Sequence, residues 1–339
     1  MLYLTIKNFI AGLKRNVRDN DIKNEMHLKQ KKAGLSTIAW NPKHKIIIKA
    51  YYEFCVSEIN HYLKKNKIKK NIIFGQYNHV FLNKYPVIKI DLQYEHTLIK
   101  TGARDSENAK ISKTTMLGMQ KYLVRLAEEK RIRDADIVID YSWPNYIHIK
   151  NSGHFIWLMN KYFVLSPMLY DYKKIKQMTT KRNLEIITLF SYPDKGRRAV
   201  FLENLRKNKI KYKNINKCFE NIEKIYSQTK ILVNIHQTDE HLTFEELRVL
   251  PALLCGTIII SERAPLTKYC GYEEFIIWGS IDEIPGLVTK VQQNYDKYWN
   301  EIFNSKNFFK KMSVLKNKNK KTVLNLLKKI ELGDEEITK

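Results

Sequence analysis

The sequence predicts an α/β protein built as two Rossmann-like domains, each a parallel sheet with helices on its faces, the two sheets facing a cleft. Two observations carry this. Short apolar, β-branched runs alternate with helical patterns along most of the chain, as buried parallel strands and their crossover helices do. The alternation also starts twice, before and after the polar stretch Lys173–Arg182, which reads as a linker. A length of 339 residues is enough for two separate cores. The expected division is 1–175, 183–305 and a basic helical tail over 306–339.

Taken in order, residues 1–30 form an amphipathic, basic segment. Leu2, Leu4, Ile6, Phe9, Ile10 and Leu13 oppose Lys7, Lys14, Arg15 and Arg18, a pattern suited to packing on its own domain or to an anionic membrane surface. A loop with a short strand at Lys45–Lys49 follows. Tyr51–Lys65 reads as a helix, and Asn71–Phe74 and Val87–Leu92 as strands. The spacing of Met116, Leu117, Met119, Tyr122, Leu123 and Leu126 predicts a helix over Lys110–Arg131. Ala135–Ile139 is a buried strand ending at Asp140.

The second half runs as strand Ile186–Phe190, polar loop Ser191–Arg198, helix Ala199–Lys207, weaker strand Ile210–Ile215 and helix Cys218–Thr229. The clearest unit is Lys230–Ser261. Strand Ile231–Ile235 ends on the polar cluster His236–Glu240. Thr243 and Glu246 then have the spacing of a capping box. Leu247, Leu250, Leu253 and Leu254 share one helical face, and Gly256 suits a left-handed helix end. Pro251 breaks the local rule, because a proline inside a helix forfeits a backbone bond and costs about 3 kcal/mol. Strand Thr257–Ile260, strand Phe275–Trp278, a long helix Ile281–Phe303 and the basic helix Lys306–Lys328 complete the chain.

The run from this helix through Cys255–Gly256 and Thr257–Ser261, with a proline-containing loop and Phe275–Trp278 after it, resembles the donor-binding half of the GT-B glycosyltransferases. The closer likeness is to members with an arginine three residues before the usual glutamate, here Arg248. In register with Cys255–Gly256, the two glutamates of the common E-x7-E pattern become Thr243 and Pro251, so the retaining chemistry tied to that pair is not carried over. The resemblance implies glycosyl transfer from a nucleotide-sugar to a glycan, lipid-linked or other acceptor in the interdomain cleft. It implies no cofactor beyond the nucleotide-sugar co-substrate and no metal. It also turns the loop carrying Arg197 and Arg198 toward the donor.

Residue chemistry is consistent with that implication. His236 ends a buried strand next to a helix start framed by Thr243, Glu245 and Glu246, where free N–H groups and an imidazole can meet a diphosphate. Arg248 can neutralise charge on a leaving diphosphate or simply pair with Glu245 as a surface bridge. Glu262 can accept from ribose hydroxyls. Glu95–His96 at a strand end, and Asp140 at the next, are the acid/base candidates. Arg104 is a candidate anion-binding loop residue. Asp134 and Asp136 imitate a metal-binding pair but stand at the wrong end of their strand.

The net charge of +25 favours anionic partners. Two rivals to the transferase therefore stay open: a nucleotide-sugar epimerase on the same fold, and a basic nucleic-acid-binding protein. Against the latter, the basic residues are not interleaved with aromatics as in known modules, so specific nucleic-acid binding is not expected. Four cysteines without paired spacing predict reduced thiols in a cytoplasmic protein. No apolar run approaches a membrane span, which leaves peripheral membrane contact open.

Overall fold

A computed structural model describes residues 29–33, 36–40, 46–75, 81–102, 110–117, 120–175, 182–191, 193–215 and 221–332. The N-terminal amphipathic segment, Arg104 and Cys218 lie outside them. The first domain runs β1 (Lys29–Ala33), β2 (Ser36–Trp40), α1 (Ile46–Asn66), β3 (Asn71–Phe74), β4 (Val87–Gln93), β5 (Leu98–Lys100), β6 (Lys110–Leu117) and β7 (Gln120–Val124). It continues through α2 (Glu129–Arg133), β8 (Ile137–Asp140), α3 (Trp143–Ser152), α4 (Ile156–Met159) and β9 (Tyr162–Val164). Its main sheet has the order β1-β2-β3-β4-β8-β9, parallel except for the β1–β2 pair.

The fully buried runs NIIF and IVID supply two of its inner strands. In β8, Ile137 and Ile139 face one core, while Val138 joins Ile149 and Leu158 on the opposite face. Tyr51, Tyr52, Cys55, Val56, Ile59 and Leu63 give α1 its buried stripe over the first of these faces, the repeat a helix laid on a sheet requires. Helix α3 starts where Ser142 accepts from the Asn145 N–H at 3.3 Å, with proline in the first turn, and stops at Gly153 in the left-handed region.

Two expectations are corrected here. Residues 110–131 are not one helix: β6 and β7 form an antiparallel hairpin with β5, Leu117 opposite Gln120. The helical spacing in that stretch competes with Ile111, Thr114, Thr115 and Val124, whose branched side chains suit a pleated surface. Only Glu129–Arg133 is helical. Lys45–Lys49 is likewise no strand, since α1 already starts at Ile46.

The second domain comprises β10 (Leu184–Thr188), α5 (Gly196–Lys207), β11 (Lys213–Asn214), α6 (Ile222–Gln228), β12 (Thr229–Asn234), α7 (Glu246–Leu254), β13 (Ile258–Glu262), β14 (Ile276–Gly279), α8 (Ile284–Gln293) and α9 (Tyr295–Phe303). Its five strands are all parallel in the order β11-β10-β12-β13-β14. The chain thus reverses its winding between β10 and β12. Gly256 ends α7 at φ +76°, and a Cβ there would stand 2.6 Å from Arg182 Nη2. That guanidinium donates to the carbonyls of Tyr226, Thr229 and Cys255 and so anchors the second domain's entry. The expected long helix 281–303 is broken at Asn294, which leaves helical geometry and separates α8 from α9.

The basic helix expected at the C-terminal side is α10 (Lys306–Leu332), and it packs on both domains. Phe308, Met312 and Leu315 complete the second domain's core, and Val323, Leu326, Leu327 and Ile330 complete the first domain's. Midway, buried Asn319 accepts from the Ser166 N–H at 2.9 Å and donates to the Ser166 carbonyl at 2.8 Å. Asn319→Ala should therefore destabilise the whole chain by about 1–3 kcal/mol, because two buried backbone groups lose their partner. Urea unfolding of the variant checks this, and an unchanged midpoint would mean that the pair holds nothing.

Candidate active site

In an open parallel sheet, ligands are held outside the carboxyl ends of the strands at the point where strand order reverses. Here that point lies between β10 and β12, and three arginines meet beside it. Arg197 forks onto Glu262, with Nη1–Oε2 at 2.6 Å and Nη2–Oε1 at 2.7 Å. It also donates to the His236 carbonyl at 3.2 Å, while its Nε lies 2.7 Å from Asp239. Arg198, 2% exposed, donates to the Ile235 carbonyl at 3.0 Å and to Glu245 at 3.2 Å, its guanidinium lying over Phe190. Arg248 reaches Glu245 at 2.7 Å and Asn234 Oδ1 at 2.9 Å.

The electrostatics follow from this enclosure. Burial works to raise the Glu245 pKa, yet Arg248 and Arg198 prevail and hold the carboxyl below the ordinary range. Burial likewise opposes ionisation of Glu262, and the Arg197 fork overcomes it. Burial pulls Arg198 down to about 10 despite Glu245. Among the described residues, the Nε groups of Arg198 and Arg248 are buried without a hydrogen-bond partner. Buried donors are nearly always paired, so these two are exceptions among the described residues.

The first domain supplies the facing wall. The His96 ring stacks on His241 of the second domain, with centroids 5.2 Å apart. Burial pushes its pKa down to about 4, against the pull of Glu245, and its Nδ1 has no partner among the described residues. The contact is fixed by backbone. Lys100 N–H donates to the Glu240 carbonyl and Leu242 N–H to the Leu98 carbonyl, so the loop after β12 lies along β5 like an added strand.

The expected capping box does not form. Helix α7 starts two residues later than such a box needs, and Glu245 stands at its cap position without a side-chain capping bond. Thr243 Oγ1 instead accepts the N–H groups of Thr97 and Leu98, at 3.0 and 3.2 Å. Glu246 lies between Ser142 Oγ at 2.6 Å and the Tyr272 hydroxyl at 2.8 Å. Both side chains satisfy the other domain before their own helix. Arg248 is no surface bridge either, being only 8% exposed.

Asp140 is fully enclosed: Asn145, the Ser142 N–H and the Tyr162 hydroxyl all donate to it. Burial lifts its pKa to about 7. It orders the start of α3 and is separated from solvent. Glu95 is half-buried, and its backbone carbonyl accepts from Gln93. The ring of His236 faces the Arg263 carbonyl at 3.1 Å, and the His236 backbone N–H donates to Glu262 at 2.9 Å. Sequence reasoning missed Asn234, Asp239 and His241. Their signal was the dense run of polar groups immediately after a buried strand.

No protein-family model matches the chain. A 172-residue stretch, 49% of the chain, is 31% identical to the uncharacterized protein R358 of Acanthamoeba polyphaga mimivirus and covers 56% of it. Among solved structures the chain is similar to TarM over 84% of its own length and 57% of that chain, with 14% identity and a TM-score of 0.42. It is also similar to the wall teichoic acid polymerase TagF over 76% of its length and 74% of that chain, with 12% identity and a TM-score of 0.31. The chain therefore spans little more than half of the viral relative and of TarM. No helix among the described residues is long and apolar enough to cross a membrane.

Burial raises Glu246 to about 8, so the junction holds it protonated where an unfolded chain would have ionised it. Its stabilising contribution is complete below about pH 4.5, the ordinary glutamate range. It falls as pH rises and is gone above about 8. Glu246→Gln, neutral at every pH, should lose less stability than the wild type between these limits. Urea unfolding of both proteins across this window checks it; parallel curves would place the proton elsewhere.

Proposed function

We propose that the protein is a glycosyltransferase of the GT-B type, taking a sugar from a nucleotide-sugar and passing it to a hydroxyl of a glycan or lipid-linked acceptor. One observation carries the reading. At the sheet's reversal point, two buried arginines keep unpaired N–H groups, and across the domain boundary a histidine keeps an unpaired ring nitrogen. Cationic donors on one wall and a neutral acceptor on the other match what the reaction needs: an anionic leaving group on one side and a hydroxyl on the other.

In this reading the diphosphate lies against Arg197, Arg198 and Arg248, which offset the charge that grows as the bond from the anomeric carbon to phosphate oxygen breaks. Arginine suits this because its planar fork bonds two oxygens at once. The acceptor approaches from the first domain, and its oxygen forms the new bond to the anomeric carbon. His96, neutral at physiological pH because of its burial, accepts the hydrogen bond from that hydroxyl and receives its proton. Glu262, fixed by Arg197, presents its carboxylate beside the ribose. The N–H of His236 fixes that carboxylate in turn. The reaction requires no further cofactor in this scheme, and the protein works in the cytoplasm. No feature of this geometry favours the epimerase.

Calorimetric titration with nucleoside diphosphates tests the site. Arg248→Ala should lower diphosphate affinity by roughly ten- to a hundredfold, because a charge-assisted bond contributes about 1.5–3 kcal/mol. His96→Gln should leave that affinity intact and abolish sugar transfer. If no diphosphate binds at millimolar concentration, the donor site fails. If a nucleotide-sugar is converted with no acceptor present, the epimerase reading replaces this one.

A further inference from the structure

The outward face of α10 has no role in either core or in the candidate site. At 3.6 residues per turn, Lys306, Lys310, Val314, Asn317, Lys321, Leu324 and Lys328 fall on one stripe, opposite the buried Phe308, Met312, Leu315, Val323 and Leu326. Every residue of the stripe is exposed, Val314 to 57% and Leu324 to 44%. The helix carries nine lysines and one carboxylate, Glu331, which lies at the stripe's far end. On one flank Glu58 of α1 faces Lys316 and Lys320; on the other, Lys311 is held by Glu274 at 3.4 Å. Among the described residues, no carboxylate lies at ion-pair distance from the stripe's own lysines, and Glu331 is the one acidic residue of the helix.

We propose that this face seats the protein on an anionic lipid surface, with its lysines in the headgroup layer and Val314 and Leu324 at the acyl boundary. The geometry allows only a flat approach, because the other side of the helix is committed to two cores along its whole length of about 40 Å. That is the arrangement of an interfacial helix rather than a spanning one. A nucleic acid would also attract the lysines, but it offers nothing to Val314 and Leu324, and the stripe carries no aromatic ring on which a base can stack. The interleaving of charge with exposed apolar side chains therefore favours lipid. The inference stands independently of the transferase reading.

Cosedimentation of the full chain with phosphatidylserine–phosphatidylcholine vesicles, against phosphatidylcholine alone, tests the proposal at physiological salt. The wild type should bind only the anionic vesicles. Lys310→Glu, Lys321→Glu and Lys328→Glu together should weaken that binding by roughly a hundredfold or more, since each lysine near such a surface contributes about 1 kcal/mol. The melting temperature should hold, because all three are exposed. Should it fall, the same three positions changed to Gln carry the test. Val314→Ser with Leu324→Ser should weaken vesicle binding several-fold and leave binding to a DNA duplex unchanged. The proposal is overturned if the wild type ignores anionic vesicles or if the triple variant binds them equally well. It is also overturned if the Val314/Leu324 variant keeps full vesicle binding, since the face would then be a general polyanion surface.

Discussion

One helix has to satisfy two hydrophobic cores. Over 27 residues, α10 buries its first half in the second domain and its last half in the first. The sheets therefore cannot part without stripping apolar surface from one of them, at about 25 cal/mol per Å² exposed. Between the two halves the helix passes the chain that joins the domains, and there the Asn319–Ser166 pair replaces apolar packing with two hydrogen bonds. A buried amide that fills both of its functions against one residue fixes a register, because sliding the helix by a turn would leave both groups unpaired.

With the domains held this way, the charge cluster at the reversal point becomes a question of balance. Arg197, Arg198 and Arg248 are matched by Glu262, Asp239 and Glu245. Breaking a buried pair by removing one partner costs about 3–5 kcal/mol, although the intact pair adds little net stability. The carboxylates thus keep the arginines charged and aimed in the absence of ligand. In the proposed reading, an entering anion would meet a cluster that is already assembled. The sequence left Arg248 open between a diphosphate contact and an i, i+3 surface bridge to Glu245; burial turns that spacing into one edge of the Arg198–Glu245–Arg248 cluster, which continues to Asn234.

Much of the fold was legible because its central strands are apolar on both faces. Asn71–Phe74, Ile231–Ile235 and Thr257–Ile260 announce themselves by composition and length. The hairpin of residues 110–124 was not legible, since Met, Leu and Tyr at helical spacing fit a strand's alternation nearly as well, and the pairing with β5 decides between them. The candidate site was partly legible: strand ends, loop arginines and the carboxylate that ends β13 follow from the winding of the chain. The fates of Thr243 and Glu246 do not. A capping box is a local pattern, and here the partners that prevail, Thr97, Leu98, Ser142 and Tyr272, are set by tertiary structure. Local preference yields when two buried N–H groups and a buried carboxyl have no other partners.

The loop 236–243 belongs to the second domain by sequence and to the first by hydrogen bonding. Its distal end is tied to β5 through Glu240, Leu242 and Thr243. Its near end supplies the His236 carbonyl and Asp239 to Arg197. A shift of one domain against the other must therefore either break the β5 pairing or move the groups that position Arg197. The two walls of the cleft share this loop, so the arrangement of the cationic wall depends on where the first domain lies. A contiguous set of bonds therefore runs from β5 through this loop to Arg197. It explains why side chains that a helix start could have used are spent on the domain boundary instead.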